Sequence, residues 1–367
     1  MRDPVSLLNG AVMAGLLAGG AWMTVSVMVS PELGAAVTQP LKVYEYLNGR
    51  ITSAIDGAYK EELPVRPHSV DLLNAVTYVL FKEGRRGVVV GQKGWLFTSE
   101  EYDWTPSSSA NLETNLRHVA AITGELERRG IAVEIALVPE KSDIYANLLL
   151  KKRPSAHDGK YDAVRHRLSA LTGAIIPNLR DVLLEARKRG DVFFPTDTHW
   201  SVAGAGVAAE RLASAFPNAA TAPETAFALK TTPTVSYSGD LLRFLQLGPF
   251  AALLPKTADA VTPLVAVATE GSVDDFLAEP STTSAPQVAL VGTSYSANPT
   301  WSFEAQLKSS LGRDVVNLAK AGHGPMEPME AFLKQVRAGD ISVEAVIWEI
   351  PLRYLDDDLN DLPGGSG

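Results

Sequence analysis

The chain has 367 residues, of which 33 are Lys or Arg, 42 are Asp or Glu and 46% are hydrophobic. That apolar content excludes intrinsic disorder, and a net charge of −9 speaks against a nucleic-acid binder, which needs a basic footprint to neutralise phosphates. There is no cysteine, so a disulfide scaffold, a thiolate nucleophile and a Cys-ligated zinc site are excluded as well.

Residues 4–31 carry no ionisable side chain, and Val5 to Val29 are nearly all Leu, Val, Ala, Gly and Met. About 20 apolar residues suffice to cross a bilayer, whereas a secretory h-region spans only about 7–15. The expectation is an uncleaved signal anchor over 1–32. The alternative is a cleaved signal peptide ending near Gly34-Ala35-Ala36. The remainder is then expected outside the cytoplasmic membrane, in the periplasm of a bacterial-type cell and tethered to the inner membrane. A helical lead-in is expected over 33–84. Its apolar positions recur at helical spacing from Val43 to Phe81, interrupted at Leu63-Pro64-Val65-Arg66-Pro67 because proline ends or kinks helices.

One α/β domain is expected over 85–360. Gly87-Val88-Val89-Val90-Gly91 reads as a strand and Gly94-Trp95-Leu96-Phe97 as its hairpin partner. Asn111 to Arg129 reads as an amphipathic helix and Ile131 to Val138 as a buried strand. Next come a helix over Tyr161 to Thr172, a short strand at Ile175-Ile176, a helix over Leu179 to Arg187, a strand at Val192-Phe193-Phe194 and a helix over Ser201 to Phe216. Residues 217–285 have no long periodic run and read as an insertion or a substrate-facing loop system. The alternation then resumes. Strands are expected at Gln287 to Val291, Val315 to Leu318 and Ala345 to Trp348, and helices at Trp301 to Leu311 and Met326 to Arg337. Such alternation predicts a largely parallel sheet. Residues 361–367 read as a flexible tail.

Three segments carry candidate chemistry: Thr196-Asp197-Thr198-His199-Trp200, Val291-Gly292-Thr293-Ser294-Tyr295-Ser296, and Asn317 to Pro325. The last two follow strands directly, and open α/β sheets bind ligands beyond the carboxyl ends of their strands. A serine hydroxyl is a weak nucleophile until a base takes its proton, a role that suits histidine, and a carboxylate fixes the histidine tautomer. Ser294, His199 and Asp197 supply these types. Backbone N–H groups of Ser294 and Gly322 are the expected oxyanion donors. A metal set of Asp197, His199 and His323 follows no recognisable ligand spacing. His68, His118, His157 and His166 read as surface residues, and Trp95 and Phe97 as core.

Together these motifs resemble the SGNH-like catalytic domain of the AlgJ/AlgX alginate O-acetyltransferase family, from about residue 45 to 355. The markers are the paired glycine-bounded strands at 87–97, Val138-Pro139-Glu140-Lys141 with Tyr145, Asp197-Thr198-His199-Trp200, Gly292-Thr293-Ser294-Tyr295-Ser296, and Trp348-Glu349-Ile350-Pro351 with Arg353-Tyr354. The resemblance implies an SGNH hydrolase-like three-layer sandwich with circularly permuted motif order, since here the Asp/His pair precedes the serine. It implies Ser294 as nucleophile, His199 as base and Asp197 as its orienting partner. Gly322, Tyr354, Arg353 and Tyr295 are expected to bind the oxyanion or substrate. No standard Gly-x-Asn-Asp block is present.

The implied activity moves an acetyl group through an acetyl-serine onto hydroxyls of an exopolysaccharide, alginate above others, with no cofactor or metal. The implied partners are the polymer, an MBOAT-type membrane protein that donates acetyl, and other polysaccharide-synthesis components. Because the chain ends soon after Tyr354, the membrane-tethered branch of the family is expected over members with a C-terminal carbohydrate-binding module. Lys320 and Arg353 are expected to offset repulsion between an acidic protein and a polyanion. A carbohydrate esterase would use the same triad with water as acceptor, and a non-catalytic scaffold would only bind polymer. The sequence alone leaves both open.

Overall fold

The computed structural model describes residues 4–31, 49, 52–53, 56–57, 60, 66–216, 226–255, 257–269 and 288–358, with backbone only for 4–12 and 67. They belong to two compact units, Met1–Phe81 with Gln246–Leu253, and Lys82–Leu245 with Leu254–Gly367. In the first unit the apolar stretch forms helix α1 (Pro4–Met28), and α2 spans Arg66–Phe81. Among the residues described to their side chains, no helix is long and apolar enough to cross a membrane. Helix α2 buries Ala75 and Tyr78 and leaves Leu72, Leu73, Leu80 and Phe81 exposed. Residues 246–253, which the sequence assigns to the α/β domain, group with α2 instead; Asn74 Nδ2 donates to Gln246 O at 3.0 Å. The flexible-tail expectation at 361–367 lies outside the described residues.

The second unit begins with an antiparallel hairpin, β1 (Val88–Val90) and β2 (Leu96–Thr98). Then follow α3 (Ser108–Arg128), β3 (Ala132–Val138), the short α4 (Lys141–Ile144), α5 (Lys160–Leu171), α6 (Leu179–Ala186) and α7 (Val202–Ala215). Strands β4 (Phe227–Thr231), β5 (Val235–Tyr237), β6 (Asp259–Val261) and β7 (Leu264–Ala268) occupy the region without periodicity. The chain closes with β8 (Val288–Val291), α8 (Ser294–Ala297), α9 (Phe303–Leu311), β9 (Val315–Asn317), α10 (Met326–Ala338) and β10 (Ala345–Pro351).

Four strands form one parallel sheet in the order β3-β10-β8-β9, with Ala345 opposite both Ala132 and Val288. Successive strand residues point to opposite faces, and both faces are covered. On one face Ala136, Val138, Leu290 and Ile347 pack against α6, α7 and α9 residues such as Leu183, Ala208, Leu212 and Leu307. On the other, Val133, Ile135, Val291, Val346 and Trp348 pack against α3, α5 and α10 residues such as Val119, Leu126, Leu168 and Phe332. This is the three-layer sandwich. It explains why the central strands read as continuous apolar runs.

Four sequence expectations change, the first being Ile175-Ile176, which forms no strand but only a bridge from Ile175 to Glu134. Val192-Phe193-Phe194 is not a strand. The chain turns back immediately, so that Phe193 only bridges Trp200 and Phe194 N donates to His199 O at 3.2 Å. Residues 226–268 form two antiparallel pairs, β4 with β7 and β5 with β6, whose strands are too short and too exposed to leave a periodic signal. His157 is buried, not superficial, because the Glu140 carboxylate lies 3.3 Å from its Nδ1.

Candidate active site

Strand β8 delivers the nucleophile. Past Val291 the chain passes Gly292 and Thr293, and Ser294 opens α8 half-buried. The turn is pinned from below by the Glu349 carboxylate on β10. Glu349 accepts from Thr293 N at 2.7 Å, Thr293 Oγ1 at 3.1 Å and Ser296 Oγ at 3.1 Å. A Cβ at position 292 would lie 2.5 Å from Glu349 Oε2 and 2.7 Å from its Cβ, so glycine is required for this approach. Burial raises the Glu349 pKa to about 7, against the opposing hydrogen bonds from Thr293 and Ser296.

The Asp197–His199 turn between Phe194 and α7 brings the base to the serine. His199 Nε2 lies 2.7 Å from Ser294 Oγ, and its Nδ1 lies 2.7 Å from Asp197 Oδ1. A carboxylate can only accept, so Nδ1 carries the hydrogen and Nε2 presents a lone pair to the serine O–H. Asp197 accepts four bonds in all. Oδ1 also takes His199 N at 2.8 Å, and Oδ2 takes the Tyr237 hydroxyl at 2.5 Å and Asp240 N at 2.8 Å. Burial alone would raise its pKa; the bonds from His199, Tyr237 and Asp240 outweigh burial and hold Asp197 well below the usual carboxylate range. The Asp240 carboxyl is pushed up by burial and by Asp197, and it accepts from Thr198 N at 2.9 Å. Gly239 makes this packing feasible, since a Cβ there would sit 2.1 Å from Thr196 O.

Aromatic side chains enclose the imidazole. Trp301 stacks on His199 with centroids 4.5 Å apart and planes 15° from parallel, and its indole N–H donates to Tyr295 O at 2.8 Å. Tyr295 is buried beneath His199. Its hydroxyl donates to Thr198 O at 2.8 Å and accepts from Arg353 Nη1 at 3.1 Å. Arg353 is itself buried; its Nε donates to Glu100 at 2.8 Å and its Nη2 to the Tyr354 hydroxyl at 3.3 Å. Tyr295 and Arg353 therefore brace the histidine turn from behind, instead of meeting substrate as the sequence reading expects.

The remaining predicted residues separate. Tyr354 is half-buried beside Arg353, whereas Gly322 and Lys320 are exposed. His323 is exposed and pairs with Glu327 at 2.8 Å. The carboxylate and imidazole atoms that do converge are those of Asp197, His199 and Asp240, within 4.8 Å of one another. A cation here would compete with the hydrogen bonds that already occupy both imidazole nitrogens. A cavity of about 260 Å³ lies beyond α8, lined by Val265, Ala297, Asn298, Phe303, Glu304 and Asn317 among others, but not by Ser294 or His199.

Sequence reasoning missed Tyr237, Asp240, Trp301 and the role of Lys141. Tyr237 and Asp240 come from the aperiodic region, and no local pattern marks either one.

A family model described as the SGNH hydrolase-like domain of the acetyltransferase AlgX matches residues 88–352. The chain belongs to this family. A protein of Pseudomonas aeruginosa named "Probable alginate O-acetylase AlgJ" is 38% identical over 364 residues, covering 96% of this chain and 90% of that protein. The solved O-acetyltransferase domain of Pseudomonas putida AlgJ superposes with a TM-score of 0.66 at 34% identity, covering 75% of this chain and 95% of that domain. Pseudomonas aeruginosa AlgX superposes with a TM-score of 0.54 at 22% identity, covering 74% of this chain and 63% of that one, which shows a shared fold. The activity class that goes with AlgX-family membership is O-acetyl transfer.

Proposed function

We propose that this chain moves acetyl groups onto alginate hydroxyls through an acetyl-Ser294 intermediate. The observation that carries the reading is the continuous run of 2.7 Å contacts from Asp197 through His199 to Ser294. Ser294 Oγ attacks the acetyl carbonyl of the donor while its proton passes to His199 Nε2. The tetrahedral adduct collapses, and the leaving group takes that proton. A sugar hydroxyl then gives its proton to Nε2 and attacks the acetyl-serine, which releases the ester and restores the Ser294 hydroxyl. Asp197 steadies the imidazolium at each stage.

Ser294 N–H, at the first position of α8, and Gly322 N–H are the oxyanion donors in this reading. Tyr354, whose oxygen accepts from Arg353, keeps its own O–H to donate to an acyl or sugar oxygen. Lys320 is exposed and offsets polymer repulsion, a role that buried Arg353 cannot share. We further propose that residues 4–31, free of ionisable groups, tether the protein to the inner membrane with the catalytic unit in the periplasm. A membrane protein of the MBOAT type then supplies acetyl, because that compartment holds no acetyl-CoA pool.

The test is mass spectrometry after incubation with an activated acetate ester. One acetyl group is expected on Ser294, discharged when a mannuronate oligomer is added and recovered on the oligomer. A Ser294→Ala protein that acetylates the oligomer at the wild-type rate would overturn the assignment. Discharge to water alone, with the oligomer unmodified, would replace the transferase by an esterase.

A further inference from the structure

We infer that Lys141 is a positioning residue whose buried ammonium gathers four backbone carbonyls and so holds the turn that presents Asp197 to His199. The inference rests on the triad reading above. Lys141 follows β3 in the Val138-Pro139-Glu140-Lys141 segment and is 1% exposed. Its Nζ donates to Leu96 O at 2.6 Å, Phe194 O at 2.7 Å and Asp197 O at 2.7 Å, with Pro195 O at 3.1 Å. An ammonium has three hydrogens, which match the three short contacts. The fourth carbonyl, Pro195 O, already accepts from Leu96 N at 2.9 Å. The ammonium also lies 5.1 Å from the Trp95 ring and 5.3 Å from the Phe97 ring, both buried.

Three of these carbonyls belong to the Phe194–Asp197 turn. Carbonyl dipoles aimed at one point repel one another unless a cation sits there, and this point is closed to water. The charge is fixed in turn from its own backbone. Glu101, fully buried, accepts Lys141 N at 2.9 Å and Ser142 N at 2.7 Å and thereby anchors α4. Asp197 is thus held at both ends, its carbonyl by Lys141 and its carboxylate by His199, Tyr237 and Asp240 N–H. A neutral side chain of similar length would fill the space but would take the ammonium hydrogens away from Leu96 O, Phe194 O and Asp197 O. The turn would then relax and shift the Nδ1–Oδ1 contact.

Two Lys141 variants measured beside wild type test this. In Lys141→Met, kcat for acetyl transfer is expected to fall about 100-fold, as displacements of about 1 Å do. KM is expected to stay within about threefold. The downfield proton resonance of His199 Nδ1–H is expected to disappear. In Lys141→Ala, n-propylammonium, which replaces the atoms removed, is expected to restore activity about tenfold or more, as returning a charged donor to buried acceptors should. Uncharged n-propanol is expected to restore none.

Wild-type kcat with the resonance intact in folded Lys141→Met overturns the inference. So does equal rescue by the alcohol, which would assign the loss to packing alone. Should the variants fail to fold, nitrogen-15 NMR of lysine-labelled wild type decides. A slowly exchanging Lys141 ammonium at neutral pH supports the cage, and a neutral amine or freely exchanging hydrogens overturns it. Ser294→Ala measured in parallel separates the two readings. If that variant still transfers acetyl, the triad assignment fails, while the Lys141→Met resonance still reports on the turn.

Discussion

Glu134, in the body of β3, and Glu140, just past its carboxyl end, are both buried but meet different surroundings. Among the described residues neither oxygen of Glu134 has a hydrogen-bond partner. Burial lifts its pKa to about 9 against the weaker pull of Arg211, so it is a neutral acid at pH 7. Glu140 is surrounded by Arg153 at 2.7 Å, Lys160 at 3.0 Å and His157 at 3.3 Å. Burial opposes its charge as well, but these partners win and hold its pKa below the ordinary value. The same contrast runs across the sheet. Around the active site, Glu101, Glu140, Asp197 and Glu349 each hold a turn or loop through several bonds. In the middle, one carboxyl simply fills space. Buried carboxyls are hydrogen-bonded where loops must be aimed, because one carboxyl or ammonium fixes several polar groups at once, which an apolar side chain cannot do.

The largest effect is expected where this aiming meets the chemistry. Asp197→Asn keeps the shape, but Asp197 faces four donors and an amide has one acceptor oxygen. With the NH₂ toward His199, Nδ1 must become the acceptor and Nε2–H then faces Ser294. With the oxygen toward His199, the NH₂ confronts Asp240 N–H. A loss of about 10³–10⁴ in kcat is expected, read in a steady-state acetyl-transfer assay. A loss below tenfold would mean that the carboxylate serves only as packing. Next comes Lys160→Met. Lys160 Nζ donates to Glu140 at 3.0 Å and to Asp356 at 2.6 Å, and it is buried. Its removal leaves two buried carboxylates short of a cation, and a destabilisation of roughly 3–5 kcal/mol is expected in denaturant titration. An unchanged midpoint would remove the distinction drawn between the carboxyl edge and the body of the sheet.

Much of this edge is legible in the sequence, but unevenly. Ser294, His199 and Asp197 sit in short motifs at strand and helix ends, where residue type and neighbouring glycine carry the signal. The central strands are legible because burial on both faces makes them uniformly apolar. The supports are not. Tyr237 reaches Asp197 across 40 residues and Lys141 across 56, and such contacts depend on tertiary packing with no local period to mark them. Tyr295 and Arg353 show the converse. Their motifs flag the right neighbourhood, yet only the packing reveals that both face inward. His157 escapes the sequence for the same reason, since a histidine among polar neighbours reads as exposed until its carboxylate partner is known.

The orphan carboxyl makes a prediction of opposite sign. Glu134 titrates near 4.5 when unfolded and near 9 when folded. Between those values the folded state holds the extra proton, so raising the pH removes stability at up to roughly 1.4 kcal/mol per unit. The contribution is complete below about pH 4.5 and fully lost above about pH 9. Glu134→Leu is therefore expected to be more stable than wild type by on the order of 3 kcal/mol at pH 7. Glu134→Gln, which cannot ionise, should flatten the pH dependence while leaving an unpartnered amide. Thermal unfolding from pH 5 to 9 checks both, and an unaltered slope in either variant would mean that the carboxyl finds partners after all.

The smallest expected effect probes the stack on the base. Trp301 lies parallel to His199, so its negative π face meets the ring at the moment the imidazole becomes a cation. That contact is worth about 1 kcal/mol, and kcat in Trp301→Leu should fall roughly fivefold to tenfold. Trp104, which meets His157 edge-on at 5.8 Å among the buried charges below, is the control. Trp104→Leu should lower the unfolding midpoint and leave kcat alone. If both substitutions changed kcat equally, the aromatic contact on His199 would have no special part in the reaction, and support of the base would fall to hydrogen bonds alone.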